Sequence, residues 1–335
     1  MASGPALAMT PTAPLSTTTT AASTTRPSPG WTLALLALWL LLTTGLRPLL
    51  LPDEGRYAEV AREMLHGDGL VPTLLGLPFF HKPPLMYWLD IAGMQLLGVH
   101  AFAARVAPAL GAWLMGAALF LDLRRRVGPR EALIALSVMA TTPFFFIGGQ
   151  YANHDMLVAG LITVAILCGQ RAVDDPARTD LRWLLAAWGA MALGVLAKGL
   201  IGVVLPVLVV GPWLLAQRRW RQCLGLMHPL AVGLFLLIAA PWFVAMQLRY
   251  PGFFDYFFME QHFRSTVLNF VGSNSPANLS SRPVGALWMD ETDKFGEESK
   301  FEAASIQLAE ERTKSYPFPL IVKASTPTLA NRMIW

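Results

Sequence analysis

The stretch Leu51-Pro52-Asp53-Glu54-Gly55-Arg56-Tyr57-Ala58-Glu59-Val60-Ala61-Arg62-Glu63-Met64-Leu65 decides how the rest of the chain is read. It is a charged segment set between long apolar runs. Pro52, Asp53 and Glu54 suit a helix start, where acids are favoured by the positive end of the helix dipole. Arg56, Glu59, Arg62 and Glu63 then line one side, while Tyr57, Val60, Ala61 and Met64 supply the other. That pattern predicts an amphipathic helix lying along a membrane surface. On the residues alone, Asp53 is either a helix cap or a carboxylate aimed into an outward cavity.

The surroundings of this segment are membrane-like. The chain has 335 residues, 54% hydrophobic and 14% charged, with a mean hydropathy of +0.46. Soluble chains carry about 25% charged residues. The charge is also uneven: 12.5% of residues 1–264 are charged, against about 21% of residues 265–335. A soluble enzyme, a disulfide scaffold and a disordered chain are excluded as readings of the whole. The two cysteines, Cys168 and Cys223, show no metal-ligand spacing and read as buried or membrane-facing thiols.

Apolar runs long enough to cross a bilayer core of roughly 30 Å occur at about 31–51, 103–123, 131–149, 156–173, 183–198, 200–216 and 229–248. The fifth and sixth are joined only at Lys198-Gly199, which predicts a tight helical hairpin. The basic clusters Arg124, Arg125, Arg126, Arg130 and Arg218, Arg219, Arg221 mark cytoplasmic loops by the positive-inside bias. With a cytoplasmic N-terminus, residues 52–102 lie outside, and the run 83–98 is a helix of the outer interface. An external N-terminus with eight spans is the alternative. Residues 1–30, rich in Thr, Ser, Pro and Ala with Arg26 as sole charge, are expected to be a disordered cytoplasmic leader. It lacks a basic n-region, so the first apolar run is expected to be retained. On this topology Asp53, Glu54, Arg56, Lys82, Asp155, Lys198, Arg249, His262 and Arg264 share the outer side. Ionisable groups near membrane depth mark a functional cavity by default.

Three further elements could carry chemistry. In Phe79-Phe80-His81-Lys82-Pro83-Pro84-Leu85, the prolines fix an extended approach and open the next helix. Lys82 then either snorkels to headgroups or serves as a point charge for a lipid phosphate. Gly148-Gly149-Gln150-Tyr151-Ala152-Asn153-His154-Asp155 ends one span and begins another. Its His-Asp pair is either a cap with a solvated neighbour, or it sets Asp155 opposite Asp53 as a metal-binding or acid–base pair. Lys198, between Ala197 and Gly199, either snorkels from a hairpin or receives an anion.

Taken in order, LPDEGRYAEVAREML, FFHKPPLMYWL, Gly98-Val99 with Ala104-Arg105, Asn153-His154-Asp155, Ala197-Lys198-Gly199 and Glu260-Gln261-His262-Phe263-Arg264 resemble the bacterial dolichyl-phosphate-mannose-protein mannosyltransferase-like family. That family includes the aminoarabinose transferases acting on lipid A. The resemblance covers about residues 30–264. It implies an all-α polytopic C-type glycosyltransferase fold, here of about seven transmembrane helices plus outer interfacial helices, set in the bacterial inner membrane with a periplasmic-side cavity. It also implies inverting sugar transfer from a polyprenyl-phosphate carrier to a lipid (lipid A-like) or protein acceptor, with no nucleic-acid partner. By that resemblance Asp53 and Asp155 are catalytic acids, Lys82 holds the carrier phosphate, and Arg56, Lys198 and Arg264 surround it. Glu54, His81, His154 and His262 are then expected to contact substrate; many members carry Glu where this chain has His81. No cofactor is required beyond a possible divalent ion, which Asp53 and Asp155 would hold.

After Arg264 this match stops. Ala286-Leu-Trp-Met-Asp290-Glu291, Ala309-Glu-Glu-Arg312-Thr and Lys323-Ala-Ser-Thr-Pro-Thr328 are similar to the ATPase domain of phage terminase large subunits. Asp290 and Glu291 stand where that family has its Walker B acids. The chain has no Gly-x-x-x-x-Gly-Lys-Ser/Thr phosphate loop, so ATP binding is not expected. The expectation for residues 265–335 is a small α/β-like fragment, not independently folded, joined to a truncated transferase near 264–271. The seam would be either a gene rearrangement or an assembly artefact. A transporter-like membrane protein is the competing reading of the spans, and a DNA-packaging ATPase that of the tail. Transporters place polar groups at mid-bilayer in broken helices, whereas the charges here sit at the outer ends.

Overall fold

The computed structural model describes residues 28–50 and 53–264, and beyond them two short strands. Eleven α-helices are formed among the described residues: α1 (Pro29–Leu41), α2 (Asp53–His66), α3 (Leu85–Leu97), α4 (Val106–Arg126), α5 (Pro129–Thr141), α6 (Pro143–Gly149), α7 (His154–Ala172), α8 (Leu181–Lys198), α9 (Ile201–Ala216), α10 (Trp220–Gly225) and α11 (Pro229–Arg249). A π-helical segment, Asp255–Arg264, follows. The hairpin β1 (Thr73–Leu74) and β2 (Leu77–Pro78) lies in the loop between α2 and α3. Strands β3 (Ala286–Met289) and β4 (Leu320–Lys323) pair in parallel, Met289 opposite Lys323. Asp290 and Glu291 lie outside the described residues.

Each expected span is a helix, but not each is a full crossing. Four segments are long and apolar enough to cross a membrane: Ala103–Arg126, His154–Ala172, Leu181–Lys198 and Pro229–Arg249. The expected run 131–149 is instead two helices, α5 and α6, bent by 70°. The break falls before Pro143, whose ring cannot continue the preceding turn. The run 31–51 is helical only to Leu41, because Thr43, Thr44 and Gly45 break into turns. Helix α9 is 16 residues long and carries Pro206 and Pro212 inside it.

Close backbone approach sets the spacing of the bundle. A Cβ on Gly111 of α4 would stand 2.4 Å from the Cα of Leu157, and one on Gly160 of α7 would stand 2.2 Å from the Gly111 carbonyl oxygen. The hairpin of α8 and α9 closes in the same way, a Cβ on Gly202 falling 2.3 Å from the Gly194 carbonyl carbon. Gly199, at φ +92°, makes the turn, a conformation that favours glycine. Lys198 is thereby held at the tip.

The two ends of this bundle differ in chemistry. At one end Arg125 pairs with Asp174, Arg126 with Asp122 at 2.7 Å, and Arg171 lies 3.6 Å from Asp122. Gln222 of α10 donates to the Asp175 carbonyl at 2.6 Å. The basic loops therefore share one end. The starts of α2 and α7 and the tip of α8 lie at the other.

That second end is fastened by a buried ion cluster. Arg105 and Glu54 are both fully buried, with Arg105 Nε donating to Glu54 at 2.8 Å. The remaining Arg105 donors reach the carbonyls of Thr44 (2.7 Å), Arg47 (3.0 Å) and Pro48 (2.9 Å). Glu54 also accepts from Arg47 and from the backbone N–H groups of Leu50 (2.8 Å) and Ala152 (2.9 Å). Burial alone would raise the Glu54 pKa. The guanidiniums of Arg105 and Arg47, with those two amides, instead hold it at about 2. Glu54 is thus closed off from any ligand, which corrects its expected role in contacting substrate.

Two outcomes follow. Because the Glu54 pKa falls from 4.5 to about 2 on folding, its contribution is complete above pH 4.5 and is lost as pH falls towards 2. Glu54→Gln should remove that slope from thermal melts in detergent and cost about 3–5 kcal/mol at neutral pH, as for a broken buried pair. Gly202→Val should prevent α8 and α9 from closing and lower the melting temperature sharply. Gly233→Val, where nothing lies within 4 Å of a Cβ, should leave it nearly unchanged.

Candidate active site

The site is built from four chain segments. The first turn of α2 supplies Asp53 and Arg56, which form an ion pair at i,i+3. The apolar face of α2, with Tyr57, Val60, Ala61 and Met64, is buried as its periodicity predicts. It packs on α3 through a cluster that includes Met86, Tyr87 and Met94. Between α2 and α3 the loop doubles back through the β1–β2 hairpin, whose turn is pinned by Glu63 accepting from the N–H groups of Leu75 (2.6 Å) and Gly76 (3.1 Å). The indoles of Trp88 and Trp242 donate to the carbonyls of Gly69 and Leu70, each at 2.8 Å, and Arg249 pairs with Asp68. This bracing delivers His81 and Lys82 to the cleft.

Asn153 caps α7, its side chain accepting from the Asp155 N–H at 3.0 Å. Asp155 is therefore not itself the cap, and it forms an ion pair with Lys198 at the end of α8. The side chains of Asp53 and Asp155 are 42% and 62% exposed, those of Arg56 and Lys198 30% and 29%. These polar groups are reachable from solvent.

Lys82 is half-buried and makes no ion pair with the described residues. Burial lowers its pKa, and the like charges of Lys198 and Arg56 lower it further. Lys82 thus feels two like charges, each of which carries a carboxylate partner of its own. His81 is stacked on Phe79 at 4.5 Å, and burial together with Lys82 and Arg56 lowers its pKa to about 4. It is a neutral ring at physiological pH.

His154 is brought to the same place but is covered. It is 2% exposed, and its ring meets those of Tyr57 at 4.7 Å and Tyr87 at 5.3 Å, both edge-on. Its expected contact with substrate is corrected to a place in the wall beneath the cations. Tyr87, on the run 83–98 expected at the outer interface, is likewise fully buried. His262 and Arg264 fall on the Asp255–Arg264 segment, and their side chains lie outside the described residues. Among the described residues no group of three His, Cys, Asp or Glu could hold a metal ion. Where the sequence suggested a divalent ion, Asp53 and Asp155 are each paired with a cation.

Sequence reasoning missed Arg105 and Arg47 as organisers of the site. It also missed Asp90, fully buried on α3, whose carboxyl burial pushes well above its usual range while the Ala107 N–H pulls the other way. A charged residue inside an apolar run was the available signal in each case. An apolar cleft lined by Trp188, Met191, Pro206, Val210 and Leu226 offers no comparable chemistry.

The depressed His81 pKa has a checkable sign. The unfolded chain takes up its proton near pH 6.5 and the folded chain only near pH 4, so stability falls as pH drops through that window and levels off below it. His81→Phe, which keeps the stack on Phe79, should flatten the melting-temperature profile between pH 6.5 and 4.

Several known proteins are similar to this chain. The undecaprenyl phosphate-alpha-4-amino-4-deoxy-L-arabinose arabinosyl transferase of Edwardsiella ictaluri is 37% identical over 243 residues, covering 70% of this chain and 43% of that protein. Its namesake from Aeromonas salmonicida is 37% identical over 240 residues, covering 69% and 43%. The crystal structure of ArnT from Cupriavidus metallidurans bound to undecaprenyl phosphate superposes with a TM-score of 0.65 at 32% identity, covering 71% of this chain and 45% of that one. The chain therefore spans less than half the length of these relatives. Its helices are those of a polytopic membrane protein. Residues 257–335 match the model of the phage terminase large subunit gpA ATPase domain. Residues 49–257, which hold the cleft and most of the bundle, match the model of dolichyl-phosphate-mannose-protein mannosyltransferase, and the chain belongs to that family.

Proposed function

We propose that the cleft receives the phosphate of a polyprenyl-phosphate sugar, undecaprenyl phosphate being the carrier, and that it serves transfer of the sugar to a lipid A-like acceptor. The observation that carries this reading is the convergence of Lys82 with Arg56 and Lys198, which are paired with the partly exposed Asp53 and Asp155. In such a reaction the sugar leaves behind a phosphate whose charge grows in the transition state. Cations at the leaving oxygen then stabilise the transition state more than the ground state. A carboxylate across the cleft orients the acceptor hydroxyl or takes its proton. The arginine-rich end would face the cytoplasm and the cleft the periplasm, by the positive-inside bias. The chain carries no Gly-x-x-x-x-Gly-Lys-Ser/Thr phosphate loop, and ATP chemistry is not part of this reading.

The test is sugar transfer from undecaprenyl-phosphate aminoarabinose to lipid A by the reconstituted chain, read by mass spectrometry. Asp53→Asn combined with Lys82→Ala should reduce transfer by about 100-fold or more, the scale of losing an electrostatic stabiliser. Transfer that survives the double substitution would place the chemistry elsewhere. Solute uptake by proteoliposomes without transfer would favour the transporter reading.

A further inference from the structure

We infer that the carrier phosphate switches the site on by exchanging ion-pair partners: Arg56 leaves Asp53 and Lys198 leaves Asp155 for the phosphate oxygens, and both carboxylates are released. This deepens the proposed function and rests on it. Without a ligand the carboxylates are occupied. Asp53 Oδ1 is held by Arg56 and Asp155 Oδ1 by Lys198, so the charge of each acid is committed to a cation and each is a weakened acceptor for a hydroxyl. Lys82, with no carboxylate of its own among the described residues, is the cation that a phosphate meets first.

The exchange is favourable on ordinary magnitudes. Both existing pairs are partly exposed, and such pairs contribute little because water competes for both ions. A phosphate offers several charged acceptor oxygens to guanidinium and ammonium groups at once, giving stronger charge-assisted hydrogen bonds. The released carboxylates are not stranded either. Asp53 lies in the first turn of α2 and Asp155 in the first turn of α7, where the helix dipole favours negative charge. Asp155 also keeps a contact from Asn153 Nδ2 at 3.1 Å. Bringing a phosphate among three crowded cations relieves the like-charge repulsion that Lys82 experiences. No bond is made or broken in this step; charges are repartnered and no proton moves.

The consequence is an order of events. Carrier binding comes first and arms Asp53 and Asp155; the acceptor finds working carboxylates only afterwards. The expected signature runs against intuition, because removing a site carboxylate should tighten carrier binding. The full chain in nanodiscs is titrated with undecaprenyl phosphate, with melting temperatures confirming that each variant folds. Asp53→Asn and Asp155→Asn should each bind about two- to fivefold tighter, the scale of one exposed ion pair no longer broken. Lys82→Ala should bind at least tenfold more weakly. Undecaprenol, which lacks the phosphate, should not distinguish the carboxylate variants from the parent chain.

If both carboxylate variants bind equally or more weakly while Lys82→Ala still loses affinity, the exchange is overturned and the carrier site stands. If Lys82→Ala binds like the parent chain, the carrier site itself is overturned. A gain in affinity for undecaprenol as well would also overturn the exchange, since the effect would not depend on phosphate. The two carboxylates lie on different helices, so misfolding of one variant leaves the other to decide.

Discussion

A guanidinium buried away from water must have its charge and donors satisfied by protein, and Arg105 meets that demand by gathering the chain around itself. Its donors reach one carboxylate and three carbonyls of the segment 44–48. The carboxylate it shares, Glu54, in turn holds the Ala152 amide from a segment 98 residues away. Desolvated charges are costly when any partner is missing, so this cluster tolerates one arrangement only. The arrangement matters because of what stands next to it in sequence. Asp53 neighbours Glu54, and Asn153 to Asp155 follow Ala152. One hidden carboxylate therefore fixes where two exposed ones can stand.

This division between hidden and exposed acids explains what could be read from the sequence. The buried face of α2 was legible because 3.6-residue periodicity is a local property. The apolar runs and the Lys198-Gly199 hairpin were legible for the same reason, each being written in consecutive residues. The role of Glu54 was not legible. Beside Asp53 it reads as another surface acid, and its partner Arg105 lies 51 positions on. Only the fold shows that the two acids of one dipeptide point to opposite environments. The wall formed by Tyr57, Tyr87 and His154 escaped for a related reason, since aromatic rings near an apolar–polar boundary suit headgroups and packing equally well.

Where local rules failed, a single residue type usually decided. Pro143 split an expected span into two helices at a wide angle, and the Thr43-Thr44-Gly45 turn ended α1 early. Hydropathy sums over a window and passes across such breaks, although the backbone does not. The basic loops were placed correctly together because charge bias is additive and needs no knowledge of contacts. The bundle is polar at both ends, yet the ends do different things. One is a mesh of alternating charges, and the other keeps its cations crowded and only partly neutralised.

The crossing of α4 and α7, glycine against backbone, bears on more than packing. Asp155 rides on α7, so its distance from the α2 side of the cleft is inherited from how closely two bare backbones can touch. The gauge of the cleft is thus written in side chains that are missing, at Gly111 where it meets Met156 and Leu157 just after Asp155. Relatives that handle bulkier or slimmer sugars could differ at these crossings while keeping every charged residue, and a designer could resize the cleft by the same route.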